Sequence, residues 1–592
     1  MYILGINSGL NSSAVLMRGN KVVFAIQEER LCRIKNQAGF PSLSIKAALD
    51  HAGIKASDIS LVVMGGKNSK VSSDRLDDLK KFHNRYNAIK KGWFGQYDSP
   101  LAEFARKGFK KLSRIVKGEK SPKTRVLEDY LSEEGLLEKH ARFDHHLCHA
   151  SAAYYGLSKR DKKEKYLVFA LDGGGDHKTS AVYIAQNNKL QEIAASCSFS
   201  PACLYAHITY IMGFMPHEHE YKLMGLSPYA HPEYGNVVKD KLAQFTGFDP
   251  KNALILTNSE RYPGVDNSTG HGKQELIEDL FKSTLNVRFD TLAAGLQMLS
   301  EEFAVEWVKA GIKQTGIRNI LLSGGFFMNV KANKLIAELP EVESVACFPS
   351  CGDESNAFGA AFLGYEQLRK EGQPDIEFGD ICLGIDASFD IEKAKREYQD
   401  KVSFTRVDNI NEEVVKMLMS HEIIARCSGK MEFGARSLGN RSIIASPDDP
   451  RIINKINAAI KKRDFWMPFA PASTEEIAET AVVIPESIKK GGWSPYMMMT
   501  FNARPEAYET IIAGIHQADK TARLQTVHRE IYPEFHDIIT RFYAKTGIPA
   551  VLNTSFNLHG YPIVRGACDA IDVYLNSALD VLIVDDYIIR RK

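Results

Sequence analysis

The sequence predicts a mixed α/β fold whose N-terminal part is internally duplicated. Short apolar runs alternate with helical patterns through the first half of the chain, as in α/β proteins. One arrangement of strand, Gly-rich turn and hairpin also occurs twice. The length of 592 residues exceeds what one hydrophobic core usually supports. We therefore expect at least two domains.

The two copies of the repeat have the same order of elements. In the first, YILGINSG is a strand with its turn, and SAVLMRGNKVVFAIQEER is a hairpin with Gly19-Asn20 at the tip. In the second, YLVFALDGGGDHKTSAVYIAQNNKLQEIA gives strand, Gly-rich turn, strand, Asn-Asn turn and strand. Two such units are expected of a duplicated nucleotide-binding fold with a cleft between its halves.

The rest of the chain predicts a second domain. Two strand-turn-helix units, NILLSGGFFMN and SVACFPSCGDESNAFGAAFLGYEQL, complete the first part. The polar stretch RKEGQPDIEFGD is the expected linker. Helical patterns resume in FDIEKAKREY and NEEVVKMLMSHEI, so we expect domains at 1–370 and 380–592.

Composition favours an ordinary globular protein of the cytoplasm. Hydrophobic residues make up 44% and charged residues 25%, and the formal net charge of +2 indicates no particular polyanionic partner. No apolar run approaches the roughly 18 residues that span a membrane. The nine cysteines include no CxxC pair, which indicates reduced thiols. A homodimer is one expectation for its assembly.

Residues 81–125 form a basic segment with 13 Lys and Arg against 3 Asp and Glu, interleaved with aromatic residues. One interpretation is a surface for nucleic acid or another polyanion. The other is a solvated, mostly helical insertion whose aromatic residues face the core. We favour the second, because the rest of the chain offsets the charge and nucleic acid is not the expected partner.

The stretch DHHLCHASAAYY places three histidines ahead of an apolar helical run. His145 and His149 are four residues apart and share one face of a helix, and His146 and His149 are three apart and could do the same. Asp172 and Asp353, which stand at predicted strand ends, could complete the site. Two imidazoles and two carboxylates suit iron, zinc or manganese. The alternative is a polar helix start and two turn-capping aspartates.

Phosphate-binding features occur in both parts. The turns LDGGGD and SGGFFMN are neither a P-loop nor a dinucleotide motif, and each is either a tight turn or a nucleotide cradle. In the second part, basic residues lie near Gly turns and near the cluster Asn553, Thr554 and Ser555. Any one of them could be a surface salt bridge. Together they predict a polyphosphate site.

Nine motifs stand in the order seen in the O-carbamoyltransferases of nodulation-factor and antibiotic tailoring, which the chain resembles from about Gly5 to Asp585. The motifs are DHHLCHASAAYY, LDGGGD, EYKLMGLSPYA, LSGGFFMN, GDESNAFGAA, MEFGARSLGNRSI, FWMPFAPA, TARLQTV and LNTSFNLHGYPIV. The resemblance implies a duplicated actin-like ATPase (RNase H-like) N-terminal domain, similar to the tRNA threonylcarbamoyladenosine synthase subunit. It implies a smaller YrdC-like α/β domain at the C-terminus.

The resemblance also implies an activity. Carbamoyl phosphate and ATP would give carbamoyl-adenylate and pyrophosphate in the C-terminal domain. The N-terminal domain would then pass the carbamoyl group to a hydroxyl of a small molecule. The first alternative is a relative that carbamoylates a tRNA base, and the second is a catalytically silent binding module.

The resemblance assigns roles by position. The expected metal, normally iron, would be bound by His145, His149, Asp172 and Asp353. The expected catalytic residues are His145, His149, Asp353, Arg436, Lys461 and Arg523. The expected residues for the adenylate, ATP and carbamoyl phosphate are Gly324, Gly325, Asn329, Arg463, Asn553 and Ser555.

Two positions depart from the family pattern. Many members have a histidine near the reacting group where this chain has Leu10 and Asn11. Many also have an arginine before Pro-Phe-Ala-Pro where this chain has Met467. Asn11 cannot act as a base near neutral pH, so we expect metal coordination to activate the acceptor hydroxyl, with His146 and His177 as the other candidates for the base.

Overall fold

The architecture is known from a computed structural model. The residues that it describes are 1–67, 82, 84, 86–87, 129, 131–132, 136–157, 161–258, 261–262, 264–267, 272–461 and 463–592. Most of the basic segment 81–125 therefore lies outside the described residues. Within it, Tyr86 is buried and its hydroxyl lies 3.0 Å from His207 Nδ1, as expected of an aromatic residue that faces the core.

The first sheet contains five strands, and the first three along the chain form an antiparallel meander. The fourth strand pairs in parallel with the first, and the fifth in parallel with the fourth, which gives the spatial order 3-2-1-4-5. The strands are Tyr2–Asn7, Ser13–Arg18, Lys21–Gln27, Ile59–Gly65 and His140–Phe143.

The second sheet repeats this topology. Its first three strands form an antiparallel meander, and the remaining two add in parallel on the other side of the first strand. The strands are Tyr166–Gly175, Lys178–Gln186, Lys189–Ser196, Asn319–Ser323 and Ser344–Cys347. The repeated 3-2-1-4-5 order confirms the duplicated α/β architecture predicted for the N-terminal part.

A third sheet of eight strands lies in the C-terminal part, and its pairing is mixed. In spatial order its strands are Val402–Arg406, Tyr587–Arg591, Val581–Val584, Ile424–Cys427, Arg441–Ala445, Val551–Ser555, Ala470–Thr474 and Gln525–Val527. Three short ladders pair Gly247–Phe248 with Leu256–Thr257, Cys382–Asp386 with Lys430–Glu432, and Phe501–Asn502 with Thr521–Ala522. The resemblance to the YrdC-type module stays a prediction.

Helices cover the sheets. Those of the N-terminal part are Glu28–Cys32, Ser42–Ala52, His145–Tyr155, Pro201–Ile211, Glu220–Leu226, Pro232–Ala243, Lys273–Thr284, Phe289–Thr315, Val330–Ala337 and Asn356–Leu368. Those of the C-terminal part are Ile391–Tyr398, Ile410–Met419, Arg451–Ile456, Glu475–Ala481, Glu486–Lys490, Pro533–Thr546 and Ala567–Leu575. Within the described ranges, no helix combines the length and the apolar character that a membrane crossing requires.

Two helices pack at the centre of the N-terminal part, between its two sheets. They are His145–Tyr155, which we call the histidine helix, and Asn356–Leu368. Their backbones approach so closely that a Cβ atom on Gly359 would lie 1.9 Å from the carbonyl oxygen of Cys148. Only glycine permits this contact. The packing brings the starts of both helices, and the residues before them, to the same place between the sheets.

The expected linker is packed rather than free. Asp375 binds Lys162 at 2.7 Å and also accepts hydrogen bonds from Arg369 and Asn188. Phe378 is buried in the main hydrophobic cluster. This segment is therefore attached to the N-terminal part before the chain enters the third sheet, and the domain bounds of 1–370 and 380–592 stay a prediction.

Candidate functional site

The histidine helix presents two imidazoles to one point. Asp144 caps the helix by accepting a hydrogen bond from the Leu147 amide at 3.0 Å, and Asp176 accepts one from the His145 amide at 2.8 Å. The helix therefore begins at His145, and the spacing of four residues turns His149 to the same face. The Nε2 atoms of His145 and His149 lie 3.2 Å apart.

Two carboxylates meet these imidazoles. Asp172 Oδ2 lies 3.3 Å from His145 Nε2 and 3.2 Å from His149 Nε2. Asp353 Oδ1 lies 3.6 Å from each of the same nitrogens. One ligand atom from each of the four residues falls within 4.8 Å of the other three. The structure thus brings together the four residues that were predicted to share a metal.

The electrostatics of this cluster fit a bound cation. Burial lowers the pKa of His149, but hydrogen bonds to Asp172 and Asp353 outweigh it and raise that pKa to about 9. Burial raises the pKa of Asp353, and the neighbouring charge of Asp172 raises it further. Two half-buried carboxylates side by side are unfavourable without positive charge between them. Two imidazole nitrogens and two carboxylate oxygens form a ligand set for iron, zinc or manganese.

The second ring nitrogen, Nδ1, of each of these histidines also has a polar neighbour. The Ser355 hydroxyl lies 3.3 Å from His149 Nδ1, and the Asn356 amide nitrogen lies 3.3 Å from His145 Nδ1. A metal-binding imidazole donates its second N–H to a neighbouring acceptor, a role that the Ser355 hydroxyl can fill for His149 and that the oxygen of the Asn356 amide, once turned, can fill for His145. Sequence reasoning missed these two residues, although their position two and three residues after Asp353 was a usable signal.

His146 does not join the cluster, so of the two spacings left open by the sequence it is His145, and not His146, that meets His149. Its ring is fully buried, and its centroid lies 6.3 Å from that of His149. Neither ring nitrogen has a hydrogen-bond partner within the described ranges. Burial, with the nearby charges of His145 and His149, lowers the pKa of His146 to about 3. Because successive residues of an α-helix are about 100° apart around its axis, His146 projects from a different face than His145 and His149.

The predicted glycine loop lies beside the cluster. Gly324 has φ 92°, and a Cβ atom there would lie 2.3 Å from the carbonyl oxygen of Leu171, so this position requires glycine. Asn329 caps the helix Val330–Ala337 and exchanges two hydrogen bonds with Gln297. Gly325, Asn329 and Asp353 line a cavity of about 630 Å³, which we call the metal-side cavity.

A second cavity of about 490 Å³, the basic cavity, contains the predicted phosphate-binding residues. Its wall includes Arg436, Lys461, Arg463, Arg523, Asn553 and Ser555. The described wall carries eight Lys and Arg side chains against three Asp and Glu side chains. These six residues, separated along the chain, therefore meet at one basic surface.

The four cations predicted to bind phosphate have no acidic partner in the part of the chain that the structure describes. Among the described residues, no carboxylate lies within salt-bridge distance of Arg436, Lys461, Arg463 or Arg523, although other basic residues of the chain are paired. Arg463 donates to Thr554 at 2.8 Å and Arg523 donates to the Met497 carbonyl at 2.6 Å. The Nη2 atom of Arg523 and the Nε atom of Arg436 are buried without a hydrogen-bond partner among those residues.

Burial and the crowding of these cations lower the pKa values of Arg523 and Lys461. Burial, together with the charges of Arg436 and Arg463, holds the pKa of Arg523 well below its usual value. Burial and the charge of Arg463 do the same for the pKa of Lys461. Buried charges are costly unless they are neutralised. A polyphosphate would supply the missing negative charge and use the free donors.

Two family models match this chain, one in each part. A family model described as the carbamoyltransferase N-terminus matches residues 2–362, and one described as the carbamoyltransferase C-terminus matches residues 415–591. The chain belongs to the carbamoyltransferase family. It is accordingly an enzyme that transfers a carbamoyl group.

The relatives of this carbamoyltransferase include both unassigned and nodulation proteins. It is 31% identical to the uncharacterized protein MJ1051 of Methanocaldococcus jannaschii, over all of this chain and 99% of that one. It is 27% identical to the nodulation protein NolNO of Sinorhizobium fredii, over 98% of this chain and 79% of that one.

Among solved structures, component A of the Acidaminococcus fermentans (R)-2-hydroxyglutaryl-CoA dehydratase aligns with 62% of this chain and 98% of its own. The TM-score is 0.31 and the sequence identity 13%.

The two cavities of the carbamoyltransferase share a wall. Eight residues line both of them: Asn11, Lys35, Asn36, Glu218, Tyr221, Met224, Ala435 and Arg436. The basic cavity and the metal-side cavity are therefore neighbours. Lys35, Glu218 and Tyr221 were missed from the sequence, because they come from turns and a helix of the N-terminal part that no phosphate-binding pattern marks.

Both departures from the family pattern lie at these cavities. Asn11 stands in the shared wall with φ 51°, and its amide nitrogen lies 3.4 Å from Glu354 Oε2. Met467 lines the basic cavity. The first departure thus lies between the two cavities, and the second lies in the wall of the basic cavity.

Proposed function

We propose that this carbamoyltransferase forms carbamoyl-adenylate from carbamoyl phosphate and ATP in the basic cavity. The carbamoyl group then passes to a hydroxyl of a small natural-product or sugar-like acceptor in the metal-side cavity. The observation that carries the proposal is the shared wall. It joins a cavity lined by four cations that have no carboxylate partner among the described residues to a cavity whose wall includes Asp172 and Asp353 of the metal cluster.

In the basic cavity, the chain supplies charge for phosphoryl chemistry. Displacement of pyrophosphate at the α-phosphorus of ATP builds negative charge on the phosphate oxygens, and fixed cationic donors stabilise it. Arg436, Arg463 and Arg523 offer forked donors, and Lys461 offers a point charge. The adenylate keeps no phosphate from the carbamoyl donor. Water therefore first cleaves carbamoyl phosphate to carbamate and inorganic phosphate. A carbamate oxygen then forms a bond to the α-phosphorus of ATP, and the bond from that phosphorus to pyrophosphate breaks.

In the metal-side cavity, the acceptor oxygen forms a bond to the carbamoyl carbon, and the bond from that carbon to the adenylate oxygen breaks. AMP leaves, and the hydroxyl proton must be removed. A divalent metal, for which we propose iron, would supply Lewis acidity at this point. His145, His149, Asp172 and Asp353 would hold it, while Gly325 and Asn329 line the space beside it for the adenylate.

Adjacent cavities also protect the intermediate. Carbamoyl phosphate is a modest donor to an alcohol, and adenylation provides a better leaving group at the risk of hydrolysis. A short route through the shared wall limits contact with bulk water. Mass spectrometry of reactions with candidate hydroxylated metabolites would identify the acceptor, because carbamoylation adds a fixed mass.

Asp353→Ala is expected to separate the two half-reactions. Asp353 lines the metal-side cavity and not the basic cavity, so pyrophosphate release should stay within about threefold of wild type. Transfer should fall by at least about a hundredfold, a typical loss when one catalytic group is removed. Both rates can be followed in one reaction by assaying pyrophosphate and carbamoylated product. Equal loss of both activities would contradict the division of labour.

Replacing His146 or His177 singly is expected to leave transfer largely intact. His146 is sealed in the core, His177 is exposed, and neither lines the metal-side cavity. The measurement is carbamoyl transfer from preformed carbamoyl-adenylate. A loss of more than about a thousandfold in either variant, with metal retained, would assign the base to that histidine.

A further inference from the structure

We propose that Lys35, a residue of the N-terminal part, binds a phosphate group of the anion in the basic cavity, and that Glu218 holds its ammonium group until that anion arrives. The inference rests on the proposed function. It adds a cationic phosphate ligand from outside the C-terminal part, where all the basic phosphate-binding residues predicted from the sequence lie.

Lys35 and Glu218 form an ion pair in the shared wall. Lys35 Nζ lies 2.9 Å from Glu218 Oε1, with side-chain exposures of 30% and 9%. Both residues line the basic cavity and the metal-side cavity. The ammonium group is therefore at the place that an adenylate must pass when it moves from one cavity to the other.

The backbone on either side of Lys35 is held by hydrogen bonds. Arg33 and Asn36 have φ values of 61° and 54°. Arg33 donates hydrogen bonds to the carbonyl oxygens of Ile563 at 2.6 Å and Pro562 at 3.2 Å, and the Asn36 amide donates to Glu29 at 2.6 Å. The segment is thus tied to both parts of the protein. The flexible four-carbon stem of Lys35 can reorient without moving it.

The charge around Lys35 favours an anion. The pKa of Lys461 is lowered first by burial, then by Arg463 and then by Lys35, so the two ammonium groups lie close enough to repel each other. A phosphate between them would turn this repulsion into attraction.

Each acidic side chain in the described wall of the basic cavity is already paired. Glu29 binds Arg30 at 3.0 Å, and Asp464 binds Lys222 at 3.0 Å. The remaining acid, Glu218, binds Lys35, and only this pair lines both cavities within the described ranges. Glu218 therefore competes with an entering phosphate for one ammonium group.

The test uses the full chain and inorganic pyrophosphate as the probe. In isothermal titration calorimetry, Lys35→Met should weaken pyrophosphate binding about tenfold or more, as expected when one hydrogen bond to a charged group is lost. The KM for carbamoyl phosphate or ATP in pyrophosphate release should rise similarly, with kcat changed less than about threefold. Lys35→Arg should restore most of the binding, and Lys21→Met, at an exposed lysine of the same part, should bind as wild type.

The Glu218→Gln variant tests whether Glu218 competes with the phosphate for Lys35 or only keeps the Lys35 side chain in place. If Glu218 competes for Lys35, its neutralisation should tighten pyrophosphate binding. Unchanged or weaker binding in Glu218→Gln overturns the holding role. Wild-type binding in Lys35→Met overturns the phosphate contact while the proposed function stands. A wild-type enzyme that releases no pyrophosphate from ATP and carbamoyl phosphate overturns the proposed function itself.

Discussion

Arg523→Ala is expected to reduce pyrophosphate release from ATP and carbamoyl phosphate by about a hundredfold or more. The Arg523 guanidinium is held by the Met497 carbonyl, and its Nη2 atom, without a protein partner among the described residues, is available to a phosphate. Removing one fixed donor to a developing anion typically costs about a hundred- to a thousandfold in rate. Arg436→Ala, at the shared wall, should have a comparable effect.

The stability of this variant distinguishes loss of function from misfolding. Arg523 is half-buried among like charges, so its removal relieves repulsion, and the melting temperature of Arg523→Ala should equal or exceed that of wild type. The matched control is Arg451→Ala, because that arginine is 81% exposed and pairs with Asp449 in the same part of the chain. An Arg523→Ala variant that folds normally and releases pyrophosphate at the wild-type rate would show that the basic cavity is not the adenylation site.

His149→Ala is expected to abolish metal binding and carbamoyl transfer together. His149 is fully buried and contacts three other members of the cluster, so its loss removes a ligand that no neighbour can replace. Metal content, measured by inductively coupled plasma mass spectrometry, should fall from about one ion per chain to less than about a tenth of that. Loss of a metal ligand removes the Lewis acid, so transfer should fall at least about a thousandfold.

The control for the cluster is His231→Ala, because the His231 side chain is 62% exposed and does not belong to the cluster. It should retain both metal and transfer. Pyrophosphate release should survive in His149→Ala, since this residue does not line the basic cavity. Retention of wild-type metal content by His149→Ala would contradict the assignment of the cluster, whatever happens to transfer.

Local spacing predicted the parts of the site that lie on one element. His145 and His149 share a helix face because they are four residues apart, and the structure confirms this. The same rule could not choose between His145 and His146 as the partner of His149. The packing of the helix between the two sheets determines which of the two histidines meets His149 and the aspartates. Such packing cannot be deduced from local sequence spacing.

Residues from different elements were harder to predict. Asp172 and Asp353 were equally compatible with turn caps, and only the parallel pairing around the second sheet brings their strand ends together. The cations of the C-terminal part were found from Gly turns and basic clusters. Lys35, Glu218 and Tyr221 were not found, because they reach the basic cavity only through contacts between the two parts, such as Arg33 to Ile563.

The most direct test of the account is the product analysis of ATP turnover by the wild-type protein. With carbamoyl phosphate present, the account predicts release of pyrophosphate and appearance of AMP in a one-to-one ratio with carbamoylated acceptor, and no pyrophosphate when carbamoyl phosphate is omitted. Formation of ADP instead of AMP, or pyrophosphate release that is independent of carbamoyl phosphate, would contradict the proposal that the protein works through carbamoyl-adenylate.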